Sequence, residues 1–377
     1  MIETKFWKPS LTSQFDVCPI PFRLDTYRGC IYNCRYCFAR DFVLFSRRNS
    51  NMDFTDLIAN NGNQLRKWIN KTLNKEDDYR KGEEIAFKER LPIKIGATSD
   101  PFPIQEKEYK VTYSLLTALH EIDYPVEIQT KNPEILAYYS KDFKNPNWAI
   151  AVTLISTNED FLKICEPNAP SCKRRLKAIE KLVKEGKNVM IKCQPSIYPV
   201  ILSDLPDLVK QISNNGCWAL NTEGLKIRIT MNEKEQEQFK IISDFLGYDL
   251  RHTYIKEIKT TSDYELSKRK KLEYTKLAEE LCNTHKIKYF TADNNMGTIG
   301  CGLECCGTEI LRNYKIWGGS SRSLFFSETG KESEKLGNCF ANFIRDKSGK
   351  KKNKTLNELV QHTNKSVKKK KFFNHLK

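Results

Sequence analysis

Three cysteines fall within eight positions of the stretch RGCIYNCRYCFAR, Arg28 to Arg40, spaced as CxxxCxxC: Cys30, Cys34 and Cys37. Thiolates are ligands for soft metals. A structural zinc ion takes four protein ligands, usually from two CxxC-type pairs far apart in sequence. Three thiolates on one loop instead suit a cubane iron–sulfur cluster with one iron lacking a protein ligand, as catalytic metal sites leave a position open. The missing fourth cysteine is then the place where a substrate or cofactor binds.

Such a loop needs elements to carry it, and the sequence alternates apolar, β-branched runs with helical patterns. Strands are expected over Pro21–Tyr27, Pro92–Thr98, Pro125–Thr130, Trp148–Ile155, Asn188–Gln194, Gly224–Ile229 and Ile287–Ala292. Helices are expected over Lys107–His120, Ser171–Glu185, Leu205–Asn214, Glu233–Phe245 and Tyr264–His285, with another over Leu57–Leu73 outside the sheet. Ser171 reads as an N-cap and Gly186 as the residue just past a helix end. Repeated β-α units imply a parallel sheet, open or curled into a barrel, with ligands at the C-terminal ends of the strands. The three-cysteine loop directly follows the first strand, at that end.

The bulk composition fits this picture. A chain of 377 residues with 39% hydrophobic residues holds one large α/β core with appendages. The start, MIETKFWKPS, is charged and carries a proline where a signal peptide needs an apolar run, and no apolar stretch approaches a membrane span. The expected compartment is the cytoplasm, where thirteen cysteines are metal ligands or small hydrophobes, not disulfides. Of the +16 formal charge, Lys347 to Lys377 contributes eleven lysines against Glu358, a net +10, leaving +6 for the preceding 346 residues. That lysine-rich tail, with Phe372 and Phe373 behind it, suits phosphates and stacked bases or simply a solvated, disordered terminus. After Ala292 the segment DNNMGTIGCGLECCGTE has no period and reads as a loop region. Cys301, Cys305, Cys306 and Cys339 gather there and suggest a second metal site, an auxiliary iron–sulfur cluster or zinc, with Cys18 or Cys282 as substitutes because adjacent thiolates are awkward ligands. Cys165, Cys172, Cys193 and Cys217 stand singly and read as buried small hydrophobes, with Cys193, at a strand end, kept as a candidate hydrogen donor.

The cysteine loop, with an aromatic before its last cysteine, resembles that of the radical S-adenosylmethionine (SAM) superfamily. The order PFRLDTYRGCIYNCRYCFAR, TSDPFPIQEKEYKVT, VEIQTKNPEIL, AVTLIST and EPNAPSCKRRLKAIEKLVKEGKNVMIKCQP is similar to its spore photoproduct lyase-like branch over Pro21 to Pro195. The resemblance implies a partial (β/α)6 TIM-type barrel, expected over residues 1–290; the composition adds a Cys-rich region, 291–345, and the tail, 346–377. It further implies a [4Fe-4S] cluster on Cys30, Cys34 and Cys37, with SAM on the open iron. Reductive cleavage of SAM would give a 5′-deoxyadenosyl radical that takes hydrogen from substrate, with electrons from an external donor such as flavodoxin or ferredoxin. By position, Tyr36 would wall the adenine, Lys131 and Arg175 would hold the SAM carboxylate, and Thr153 would contact ribose or carboxylate. Two features depart from the lyase: its hydrogen-returning cysteine corresponds to Ala97, and the tyrosine expected after the third cluster cysteine is Phe38. Spore photoproduct itself is therefore not the expected substrate. The expected reaction is hydrogen abstraction from a nucleic acid, by repair or base modification. The alternatives are modification of a protein, peptide or small metabolite, and a non-catalytic metal or nucleic-acid-binding module.

Overall fold

The computed structural model describes residues 2–11, 18, 20–40, 43, 52–75, 82–260, 262–293, 296, 299–300 and 305–314. Cys301, Cys339 and the lysine-rich tail lie outside these residues. Among the described residues, no helix is long and apolar enough to cross a membrane.

The strands, in chain order, are β1 (Glu3–Lys5), β2 (Ser10–Leu11), β3 (Phe22–Arg23), β4 (Tyr27–Arg28), β5 (Ile58–Asn60), β6 (Ile93–Ile95), β7 (Val126–Thr130), β8 (Trp148–Thr153), β9 (Val189–Ser196), β10 (Ala219–Gly224), β11 (Lys226–Arg228), β12 (Ile258–Lys259), β13 (Asp263–Glu265) and β14 (Lys288–Thr291). Eight of them form one sheet in the order β14-β10-β9-β8-β7-β6-β3-β2. All neighbours in it are parallel except β2, which pairs antiparallel with β3 at one edge. The fold is thus mixed α/β around a large, mostly parallel sheet. β8, WAIAVT, is buried at every position, as expected of a strand covered on both faces. One face carries Ile93, Ile95, Val126, Ile128, Ile150, Val152, Ile191 and Leu220 into a core shared with helix residues such as Leu115, Leu119, Ile179 and Leu182. The other face is mixed: apolar Ala151, Met190, Ala219 and Phe290 beside charged Lys94, Glu127 and Lys192.

Several sequence expectations shift on this frame. The main-sheet strand expected at Gly224–Ile229 lies earlier, at Ala219–Gly224, while Lys226–Arg228 joins a small antiparallel sheet, β11-β13-β12. The polar Asn221 and Thr222 hide that strand from a hydrophobicity reading, because the sheet supplies their partners: Gln194 for Asn221 and Tyr289 for Thr222. The helix expected from Leu57 begins only at Gly62, after β5, with Asn61 accepting from the Gln64 N–H at 3.0 Å. The Lys107–His120 helix is split at Lys110, whose φ of 50° breaks it. The Tyr264–His285 helix starts at Lys268, its first residues being β13. By contrast, the helix Cys172–Lys184 is capped by Ser171, and Gly186 follows it at φ 74°.

Gly96, the residue after β6, has φ 90°, and a Cβ there would lie 2.1 Å from the Gln129 carbonyl oxygen. Only glycine lets this strand end approach β7 so closely. Gly96→Ala is expected to cost about 2–5 kcal/mol, combining a left-handed backbone penalty with a steric clash, read as a lower urea midpoint at unchanged m-value.

Candidate functional site at the C-terminal ends of the strands

The chain leaves β3 at Leu24, passes through β4 and enters the cysteine loop at Gly29, whose φ of 89° turns it. The loop is wedged between the segments that follow β6 and β8. Ser99 donates its hydroxyl to the Gly29 carbonyl, and the Asn168 amide donates to the Ile31 carbonyl at 2.8 Å. The Arg35 N–H meets the Cys165 carbonyl at 2.9 Å, and the Cys30 N–H meets the Phe54 carbonyl at 2.9 Å. Asn33, at φ 49°, makes the second turn.

Entry to the loop is braced by Tyr27, whose hydroxyl donates to buried Glu106. Glu106 also accepts from the Thr112 N–H at 3.1 Å and the Tyr113 N–H at 2.9 Å. Burial outweighs these bonds and pushes its carboxyl up to about 7. The sign follows from linkage: a carboxyl that binds protons more tightly when folded favours the fold at low pH. Relative to Glu106→Gln, the wild-type protein is therefore expected to lose about 3 kcal/mol of stability between pH 4.5 and about 7, measured by urea unfolding across that range.

The three thiols are all free, Cys34 buried and the other two partly so. Burial pushes the Cys30 thiol up to about 12, with the nearby backbone of Asp100 and Tyr32 acting against it. Burial, followed by the Glu166 carboxylate and the neighbouring thiols, also pushes Cys34 up, with Lys131 acting against it. Coordination to iron removes such protons outright. Three free thiols on one loop fit a cluster that takes one thiolate per iron. Among the described residues, no three His, Cys, Asp or Glu side chains surround a single-ion position, so the loop is not a preformed mononuclear site.

Around the thiols stands a buried charge network. Asp25, after β3, accepts from the Ala97 N–H at 2.7 Å and from the Thr98 hydroxyl, tying β3 to the loop after β6. Asp100 accepts from the Thr130 hydroxyl and the Lys131 N–H, both at 2.7 Å, fixing the end of β7. Glu166 is the hub: it accepts from the Tyr36 hydroxyl and the Arg175 guanidinium, and Lys131 Nζ lies 3.8 Å away. Lys131 also sits 5.7 Å from the centre of the Tyr36 ring. Burial alone would raise the Glu166 carboxyl; Arg175 and Lys131 hold it below its ordinary value. Burial likewise works against the Lys131 ammonium, and the Cys34 thiol and Glu166 outweigh it.

The sequence-predicted residues Tyr36, Lys131 and Arg175 are therefore brought together, but on Glu166, which the sequence reading left without a role. Its signal was present: an acid in the quoted EPNAP segment, nine positions before an arginine on a capped helix. Arg175 is 1% exposed, and its remaining nitrogens donate to the Pro170 and Thr153 carbonyls, each at 2.8 Å. Its place is beneath the site, orienting Glu166 and the end of β8, and Thr153 is held there through its carbonyl.

Comparison with known protein families finds no match. Among curated proteins, an uncharacterised protein of Mycobacterium tuberculosis is 24% identical over 241 residues, 59% of this chain and 64% of its own length. An uncharacterised protein of Methanocaldococcus jannaschii is 28% identical over 190 residues, 49% of this chain and 61% of its own. The chain thus spans less than two thirds of these relatives. Among solved structures, spore photoproduct lyase complexed with dinucleoside spore photoproduct is similar over 73% of this chain and 77% of its own, with a TM-score of 0.51 at 16% identity. A variant of that lyase with the same dinucleoside gives 0.52 at 13% identity, over 75% and 81%. The fold is shared with spore photoproduct lyase.

Against that shared lyase fold, Cys193 sits within β9 in the apolar core, its sulfur 3.5 Å from the Ile155 carbonyl and hydrogen-bonded by Ser196. Burial pushes its thiol up to about 12. None of its described bonds reaches Tyr36, Lys131 or the cysteine loop. Phe38, beside Cys37, is 61% exposed at the rim of the loop.

Proposed function

We propose that this chain is a radical SAM enzyme that abstracts hydrogen from a nucleic-acid substrate. One observation carries the reading: the Cys30, Cys34 and Cys37 loop lies beside Lys131, Tyr36 and Glu166 at the C-terminal ends of parallel strands, where such folds hold ligands. A [4Fe-4S] cluster bound with SAM supplies one-electron cleavage of the sulfonium and hydrogen-atom abstraction. The chain's own residues position and exclude. Cys30, Cys34 and Cys37 would ligate three irons. Lys131, kept cationic by its anionic neighbours, would meet the SAM carboxylate, and the Tyr36 ring, fixed through its hydroxyl, would border the adenine.

A curled sheet, the partial barrel of this enzyme class, has support in the side chains. Lys94 on β6 and Lys192 on β9 are separated by two strands, roughly 14 Å in a flat sheet, yet both reach Glu127 and Cys306. The nucleic-acid assignment rests on the lysine-rich tail and on the shared fold with a lyase whose solved complex holds a dinucleoside. Ala97 offers no thiol, so the hydrogen-return step of spore photoproduct repair is not assigned. An external one-electron donor and a cytoplasmic setting belong to the same proposal.

The deciding experiment is anaerobic SAM cleavage to 5′-deoxyadenosine by the reconstituted protein, with cell extract left intact or treated with nucleases. Stimulation abolished by nucleases is the expected result. Stimulation that survives them moves the substrate to proteins or metabolites, and absence of any cleavage overturns the radical SAM reading.

A further inference from the structure

The mixed face of the sheet holds a second group of thiols, at the opposite end of the strands from the Cys30 loop. The described C-terminal segment, 305–314, lies against the residues where strands begin. The Asn147 amide, just before β8, donates to the Arg312 carbonyl at 2.9 Å, and Lys288, at the start of β14, pairs with Glu309 at 2.6 Å. Gly307, at φ 64°, fits so closely that a Cβ would meet Trp218 at 2.7 Å and Met190 at 2.8 Å. This packing carries Cys306 under the sheet, where it is 2% exposed.

Two lysine ammoniums converge on that sulfur, Lys94 and Lys192, each 3.5 Å from Cys306 Sγ. One carboxylate answers them: Glu127, at 2.7 Å from Lys192 and 3.3 Å from Lys94. The Lys192 and Glu127 side chains are 1% and 0% exposed, and that of Lys94 is 19% exposed. Two cations against one anion leave a net positive charge out of water, a costly arrangement unless a further anion completes it. The groups placed to do so are thiols. Cys305 adjoins Cys306 in the chain, and Cys18, from the segment before β3, lies within electrostatic reach of Lys94 and Cys305. Cys18 and Cys305 are partly exposed, which gives the site an entrance.

We infer that Cys18, Cys305 and Cys306 hold a thiolate-bound metal centre, iron–sulfur or zinc, which locks the 305–314 segment under the sheet. Thiolates are soft ligands selective for these metals, and their negative charge is what the lysine pair lacks. No three ligands surround a single-ion position among the described residues, here or in the Cys30 loop, so the centre is assembled on loading. The centre joins segments more than 280 residues apart in sequence.

The test uses the full chain with the first loop emptied, as Cys30→Ala/Cys34→Ala/Cys37→Ala, purified without oxygen and assayed for iron, acid-labile sulfide and zinc with folding checked by circular dichroism. About one metal centre per chain is expected to remain and to be lost when Cys306→Ser is added, while Cys18→Ser weakens retention roughly 10–100-fold. Iron with sulfide identifies a cluster and zinc alone identifies a zinc site; either upholds the inference. A folded triple variant without metal overturns it, as does metal indifferent to both serine substitutions. Should Cys306→Ser fail to fold, Cys18→Ser, at a partly exposed position, carries the comparison alone. Metal is counted here without SAM or reductant, so this result and that of the SAM-cleavage assay stand or fall separately.

Discussion

Cys34→Ala is expected to leave the protein folded while reducing SAM cleavage at least about 100-fold. Cys34 is the middle thiol of the loop and the most buried of the three. Its backbone is held independently of its sulfur: the Cys34 carbonyl accepts from the Cys37 N–H at 3.2 Å and from Arg40 at 3.1 Å. Removing one sulfur should therefore cost only about 1 kcal/mol, the scale of losing a small buried group. Function should suffer far more, because a cluster with three protein ligands has no spare thiolate. The matching control is Cys217→Ala, a thiol equally buried but in the apolar core, with burial as the sole cause raising its pKa. Its activity should stay at the wild-type level. The readouts are iron bound at the loop, measured in a Cys306→Ser background, and 5′-deoxyadenosine formed per turnover time. A Cys34→Ala protein that cleaves SAM at the wild-type rate would remove the loop from the chemistry.

The residues that announce this site in the sequence are those whose signal is local. CxxxCxxC after a strand, Ser171 before a helix and the unbroken apolar run of β8 each depend on neighbours within a few positions, and each is found where the pattern places it. What could not be read is what tertiary distance decides. Asp25 and Asp100 look like ordinary loop carboxylates until the sheet sets Asp25 against Ala97 and Thr98, and Asp100 against Lys131. Asn221 looks like a strand breaker until Gln194 on β9 supplies its partner. Lys110 breaks a helix that its sequence would continue, and the backbone departs there without a glycine or proline to signal it. Cys18 and Cys282 are the two substitutes for the C-terminal thiol group; Cys18 lies within electrostatic reach of Cys305, while Cys282 is buried in the helix-facing core.

Glu166 shows how much of the site depends on one such unannounced residue. Glu166→Gln is expected to destabilise the protein by about 3–5 kcal/mol, the cost of stranding a buried cation. Among the described residues Arg175 pairs with no other carboxylate: its other donors already serve the Pro170 and Thr153 carbonyls, and it is almost wholly out of water. A glutamine keeps the shape and one acceptor oxygen but removes the charge that Arg175, Lys131 and the Tyr36 hydroxyl share. Replacing both members of the pair, as Glu166→Gln/Arg175→Met, should recover part of the loss, because it removes the buried Arg175 charge that Glu166→Gln alone leaves unpaired. A double-mutant cycle by urea unfolding therefore distinguishes a charge effect from a packing effect: strong coupling between the two positions is the expected result, and additive losses would sink it. Stability and binding should also separate. In the double variant Lys131 has lost its carboxylate partner and Tyr36 its charged acceptor, so SAM affinity should remain low even where the fold is restored. That separation is what a hub beneath a ligand site predicts, since Glu166 stabilises the fold through Arg175 and prepares the site through Lys131 and Tyr36.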